Sequence, residues 1–123
     1  MKPIRILPLI IAAGCVARST QPVPSAALPP SGQAISLLGD TLRVFPMTVE
    51  TRARNEAQLA AAQSAYERTP SNADSIIWLG RRLAYLGRIR EAIDVYTRGI
   101  AIHPDNPWLY RHRGHRYITV REL

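Results

Sequence analysis

No intramolecular disulfide can form in this chain, because Cys15 is its only cysteine. Lysine is almost as scarce: Lys2 stands alone, and the other basic side chains are arginines. Glycine never clusters into a phosphate-cradling loop; Gly80, Gly87 and Gly99 are spaced as packing and helix-closing residues. Paired carboxylates and a nucleophile beside a base are missing too, which removes the usual catalytic constellations. Nor is there an apolar run of the roughly 20 residues that a membrane-spanning helix needs. Acidic residues are outnumbered, nine against sixteen basic, for a net charge of +7. Arginine's planar fork suits carboxylates and phosphates.

What is present divides into two halves. Up to about Met47 the chain is rich in Pro, Ala and Ser and holds most of the ten prolines. From Thr48 the composition shifts to Arg, Ala, Leu, Ile and Tyr with helical spacing. A folded part of roughly 70 residues lies near the lower limit for an independent core, so neighbouring repeats or a partner would add to its stability.

The N-terminus reads as an address. Lys2 and Arg5 give a basic start, Ile6 to Ala13 an apolar run, and Gly14 precedes Cys15. That is the layout of a secretory signal over residues 1–14. Its removal takes away Lys2 and Arg5 and lowers the net charge from +7 to +5. Ile11-Ala12-Ala13-Gly14-Cys15 resembles the lipobox of bacterial lipoproteins, with Ala12 where Leu is usual. The resemblance implies acylation of Cys15 and residence at the cell envelope. Val16, not Asp, follows the cysteine, which implies the periplasmic face of the outer membrane. Several acyl chains on one residue anchor firmly. Residues 15–48 are then expected to form a tether or strap. Pro22, Pro24, Pro29 and Pro30 favour extended chain up to Gln33. Between Ile35 and Phe45, two apolar runs flank Gly39-Asp40, which fits either a hairpin or a strap lying on the helices.

Residues 49–123 read as short helices joined by tight turns. The first covers Arg52–Arg68 and stops at Thr69-Pro70. The second, capped by Asn72 or Asp74, carries Ile76, Leu79, Leu83 and Leu86 on one face, with Gly87 suited to the left-handed closing position. The third carries Ile89, Ala92, Ile93, Tyr96 and Ile100 and ends before Pro104. The fourth, capped by Asp105 or Asn106, has Pro107 in its first turn and then Tyr110, Gly114, Tyr117 and Ile118.

An internal period of 34 residues links Pro70 to Pro104, Gly80 to Gly114 and Asn72 to Asn106. Leu79, Gly80, Leu83, Ala92, Tyr96, Gly99 and Pro104 fit one unit spanning 73–106, which resembles the tetratricopeptide repeat (TPR). The resemblance implies an all-α fold, a short array of antiparallel helix pairs in a right-handed superhelix, with partial repeats on either side. The small residues at 80, 92 and 99 let helices approach closely. Tyr110, Tyr117 and Ile118 are left without an obvious next helix to cover them.

The same resemblance places Asp74, Ile77, Arg81, Ala84 and Tyr85, with Trp108, Arg111, His115, Ile118 and Thr119, on a concave inner surface. Arg81, Tyr85, Trp108, Arg111 and His115 are the candidate groove residues, since Arg with aromatics is the mixture favoured at binding hot spots. Trp78 is expected in the core. His112 and His115 lie one helical turn apart, but no Cys or acidic side chain accompanies them on that helix, so neither a metal nor any other cofactor is expected. The reading is therefore a non-enzymatic scaffold or adaptor whose partner is a protein or peptide of acidic character. The membrane is met only through the lipid, and no nucleic acid is expected. The alternative is a small-ligand or substrate-binding accessory of an envelope enzyme or transporter, which calls for a closed apolar pocket in place of an open groove.

Overall fold

The computed structural model describes residues 32–122. The signal-type segment 1–14, Cys15 and the proline-rich stretch through residue 31 lie outside the described residues, as does Leu123.

Four helices follow one another: α1 Val49–Arg68, α2 Ala73–Tyr85, α3 Ile89–Ile102 and α4 Pro107–Val120. Local chemistry sets their ends. The Thr48 hydroxyl accepts from Thr51 N–H at 3.2 Å, starting α1 three residues earlier than its apolar spacing indicates. Asn72, not Asp74, caps α2 by accepting from Ser75 N–H at 3.0 Å. Asn106, not Asp105, caps α4 by accepting from Trp108 N–H, and Pro107 fills the first turn, where no N–H is needed. Gly87, at φ +77°, closes the α2 end in the left-handed region.

The connections of three to four residues force each helix to double back on the last, and consecutive helices pack together, with α2 also touching α4. The fold is an all-α, TPR-like array of helix pairs. Its core is Ile76, Ile77, Leu79, Leu83 and Ala84 of α2, Ile89, Ala92, Ile93, Val95 and Tyr96 of α3, and Leu109 and Val120 of α4. Leu59 and Tyr66 bring α1 onto that core, although only Ala62 of α1 is itself buried.

Two findings differ from the sequence reading. In α4 the side chains that turn inward are Leu109, which is fully buried, and Val120, with Tyr117 partly buried. Tyr110 and Ile118 stay exposed, in keeping with the expectation that no next helix covers them. Trp78 is not a core residue: it is 44% exposed, one step around the helix from the buried Ile77 and Leu79.

The 34–45 segment is at once a hairpin and a strap. Strands β1 Ala34–Ile35 and β2 Thr41–Leu42 pair antiparallel, Ala34 opposite Leu42. Gln33 N–H donates to Leu42 carbonyl oxygen at 2.8 Å, so the last residue of the expected tether already belongs to the hairpin. Ala34 is buried, β1 lies against α4, and Val44 covers Gly87.

Candidate functional site

Helical spacing builds a concave surface from α2 and α4. Asp74, Ile77, Trp78, Arg81, Ala84 and Tyr85 recur at steps of three and four along α2. Trp108, Arg111, His112, His115 and Arg116 do so along α4, and Tyr96 of α3 forms the floor between them. The resulting concavity holds about 500 Å³ and is open to solvent. All five candidate groove residues, Arg81, Tyr85, Trp108, Arg111 and His115, line it together, as do Asp74, Ile77 and Ala84. Ile118 and Thr119 do not. Ile118 is 53% exposed elsewhere, and the Thr119 hydroxyl donates to the His115 carbonyl one turn back.

Four lining residues were not among the positions carried over from the repeat: Trp78, Tyr96, His112 and Arg116. Three of them flank a carried-over position on the same helical stripe (77/78, 111/112, 115/116), so a wider stripe would have found them. Tyr96 comes from the second helix of the pair, where only contact geometry reveals that its ring reaches the groove.

Arginine and aromatic side chains are organised here into stacks. The Arg81 guanidinium lies 4.3 Å from the Trp78 ring centre and donates to the Tyr85 hydroxyl at 3.1 Å. Arg82 lies over Trp78 and Tyr85 from the rim, and Arg111 lies 5.3 Å from the Trp108 ring centre. Cation–π contact of this kind fixes a guanidinium without neutralising it. Lining charge is then three arginines against the single carboxylate of Asp74.

Proton equilibria respond to this field. The Tyr85 phenol is held below its ordinary value, first by the hydrogen bond from Arg81 and further by Arg81, Arg82 and Arg116. Burial pushes the Tyr96 phenol up to about 12. His112 stacks on Tyr96, 5.8 Å between ring centres, and is pushed below its ordinary value of 6.5. Partial burial is the larger cause, with Arg81, His115, Arg111 and Arg116 adding to it. The neutral ring is the favoured form at this position.

The remaining residues of the repeat pattern serve the scaffold. A Cβ added at Gly80 would sit 2.5 Å from the Tyr96 ring, and one at Gly99 would sit 2.7 Å from Ile76 and 3.1 Å from Leu109. Leu79, Leu83 and Ala92 are buried beside them, while Pro104 is exposed in the α3–α4 turn. The third histidine, His103, points its Nε2 at the Ser71 carbonyl, 2.6 Å away, bracing the α3 end against the α1–α2 turn. Among the described residues no three His, Cys, Asp or Glu side chains gather as metal ligands would, and no helix is long and apolar enough to cross a membrane.

Compared with known proteins, the chain matches no curated protein and no solved structure. Residues 80–118, from the middle of α2 to the last turns of α4, match a family model described as TPR repeat. That stretch holds most of the groove, although Asp74, Ile77 and Trp78 precede it, and it includes the close-packed Gly80 and Gly99.

Proposed function

We propose that the α2–α4 concavity is a docking groove for an extended, acidic segment of a partner protein, held at the bacterial cell envelope by acylation of Cys15. The match of residues 80–118 to the TPR repeat supports a protein-interaction module. One observation carries the specific reading: Trp78 with Arg81, and Trp108 with Arg111, present stacked aromatic–arginine pairs from two helices to one open surface. An arginine already held on a ring loses little further freedom when it forks onto a carboxylate, so its charge-assisted bonds go into affinity. The two tryptophans supply apolar area between the charges. Openness along both helices favours a chain over a compact small molecule, which calls for enclosure.

Trp78 and Trp108 are the chain's only tryptophans, so intrinsic fluorescence reports directly on the groove. Titration with short Asp/Glu-rich peptides is expected to change that emission saturably, and less so as salt is raised. Peptides of the same length with Asn and Gln in place of the acids should bind more weakly. Equal response to both peptides removes the acidic-partner reading. For the anchor, the N-terminal peptide isolated after expression in a bacterium is expected to begin at a diacyl-modified Cys15. Cleavage at another residue, or unchanged membrane partition of Cys15→Ser, overturns it.

A further inference from the structure

The most exposed apolar side chains of the described chain sit outside the groove, at the tip of the β-hairpin. Leu37 and Leu38 are 98% and 91% exposed. Two adjacent leucines held fully in water at a loop apex serve no fold purpose, and apolar surface kept exposed in this way marks contact with something else. The tip is also built rather than loose. Leu38 N–H and Asp40 N–H both donate to the Ser36 hydroxyl oxygen, at 3.2 and 3.0 Å. Gly39 N–H donates to the Ser36 carbonyl, and Ser36 N–H to the Asp40 carbonyl. Gly39, at φ +90°, makes the reversal. Four backbone donors around the apex are thus satisfied within it, which lowers the cost of moving the apex from water to the interfacial layer. The strands below are pinned to the body by buried Ala34, so the apex is presented at a fixed place on the domain.

We infer that this apex is a shallow membrane foot: Leu37 and Leu38 insert into the interfacial region of a lipid bilayer and set the orientation of the domain on it. The choice of a bilayer over a protein follows from the chain that precedes the hairpin. Cys15 lies seventeen positions before Gly32, a span of at most about 60 Å even when fully extended. An acylated Cys15 therefore keeps the apex within reach of the surface at all times. Two leucines alone partition weakly, but on a tether their insertion becomes an intramolecular event at high effective concentration. The exposed carboxylate of Asp40 must stay in water, which limits the depth to that of the two leucines. This inference rests on the lipid-anchor part of the proposed function and not on the groove.

The test supplies the tether chemically, so it does not depend on acylation in the cell. Cys15 is the only thiol and can be coupled in the full chain to a maleimide lipid in phosphatidylcholine vesicles. Leu38→Trp adds a reporter at the apex, Ala57→Trp one on the exposed side of α1, and the unsubstituted chain gives the background of Trp78 and Trp108. With acyl chains brominated near the headgroup, the added emission of Leu38→Trp is expected to fall about twofold or more, as for a side chain within the interfacial layer. That of Ala57→Trp is expected to stay near its value in unbrominated vesicles. Quenching of Leu38→Trp no greater than that of Ala57→Trp overturns the inference, and leaves the apex to a protein partner. Loss of acylation at Cys15 in cells would sink the anchor while leaving this measurement intact.

Discussion

Gly80 and Gly114 stand in the same register of the 34-residue period, yet their surroundings differ. A Cβ at Gly80 meets the Tyr96 ring, whereas one at Gly114 has nothing within 4 Å. Gly80→Leu is therefore expected to destabilise the fold by about 1–3 kcal/mol through overpacking. Gly114→Ala is expected to be neutral or to stabilise by up to about 1 kcal/mol, because alanine is the better helix former. Denaturant midpoints of the two variants check both; a Gly80→Leu variant as stable as the parent would remove the close-packing role. The period made both glycines visible in the sequence. Which of them had a ring beside it was not legible, since that depends on a following helix to supply the ring.

Among the elements, α2 and α3 were read almost completely and α4 was not. Their apolar residues recur at three and four steps with polar residues between, so one face is unambiguous. In α4 the apolar residues are scattered among arginines and histidines: Leu109 and Tyr110 are adjacent, as are Tyr117 and Ile118. Spacing cannot say which of each pair turns inward. Packing decides, because Leu109 fills the notch left by Gly99, within 3.1 Å of where a Cβ there would stand. Leu109→Ala is expected to cost about 2–5 kcal/mol, the range for emptying a fully buried leucine site. Tyr110→Ala, at a side chain 43% exposed, is expected to cost far less. Hydrogen exchange along α4 adds the location: Leu109→Ala should lower protection there before α2 and α3 open. The hairpin was half legible for a similar reason. Gly39-Asp40 marked the turn, but paired strands of two residues each carry no periodicity, and their attachment to α4 and Gly87 is a tertiary fact.

For the molecule as a whole, His112 is expected to link folding stability to groove occupancy. Its ordinary value of 6.5 is lowered in the fold, chiefly by partial burial and then by Arg81, His115, Arg111 and Arg116. The unfolded chain thus binds a proton at higher pH than the folded one, and stability falls as pH drops through 6.5 toward the lowered value. Glu91 and Glu50 have lowered values as well, but their ordinary value is 4.5, so their losses come at more acid pH. On the proposed docking, an acidic peptide is expected to act on His112 in the opposite sense. Its carboxylates would offset the field of Arg81, Arg111 and Arg116, and where that outweighs the added burial, docking is expected to take up a proton. Affinity for the acidic peptide is accordingly expected to strengthen as pH falls from about 7.5 to about 5.5, over the same window in which the free protein's melting temperature drops. His112→Phe keeps a ring on Tyr96 and should flatten that ring's contribution to both trends. Arg81→Ala and Arg111→Ala should each weaken binding about 2- to 10-fold, between the values for exposed and for charge-assisted contacts. Arg98→Ala, on the other side of α3 beside Gln63 and Asp94, should leave binding unchanged. Fluorescence titrations at several pH values, beside thermal melts in the same buffers, measure all of these. If Arg98→Ala weakens binding as much as Arg81→Ala, the attraction belongs to the molecule's net positive charge and not to a groove.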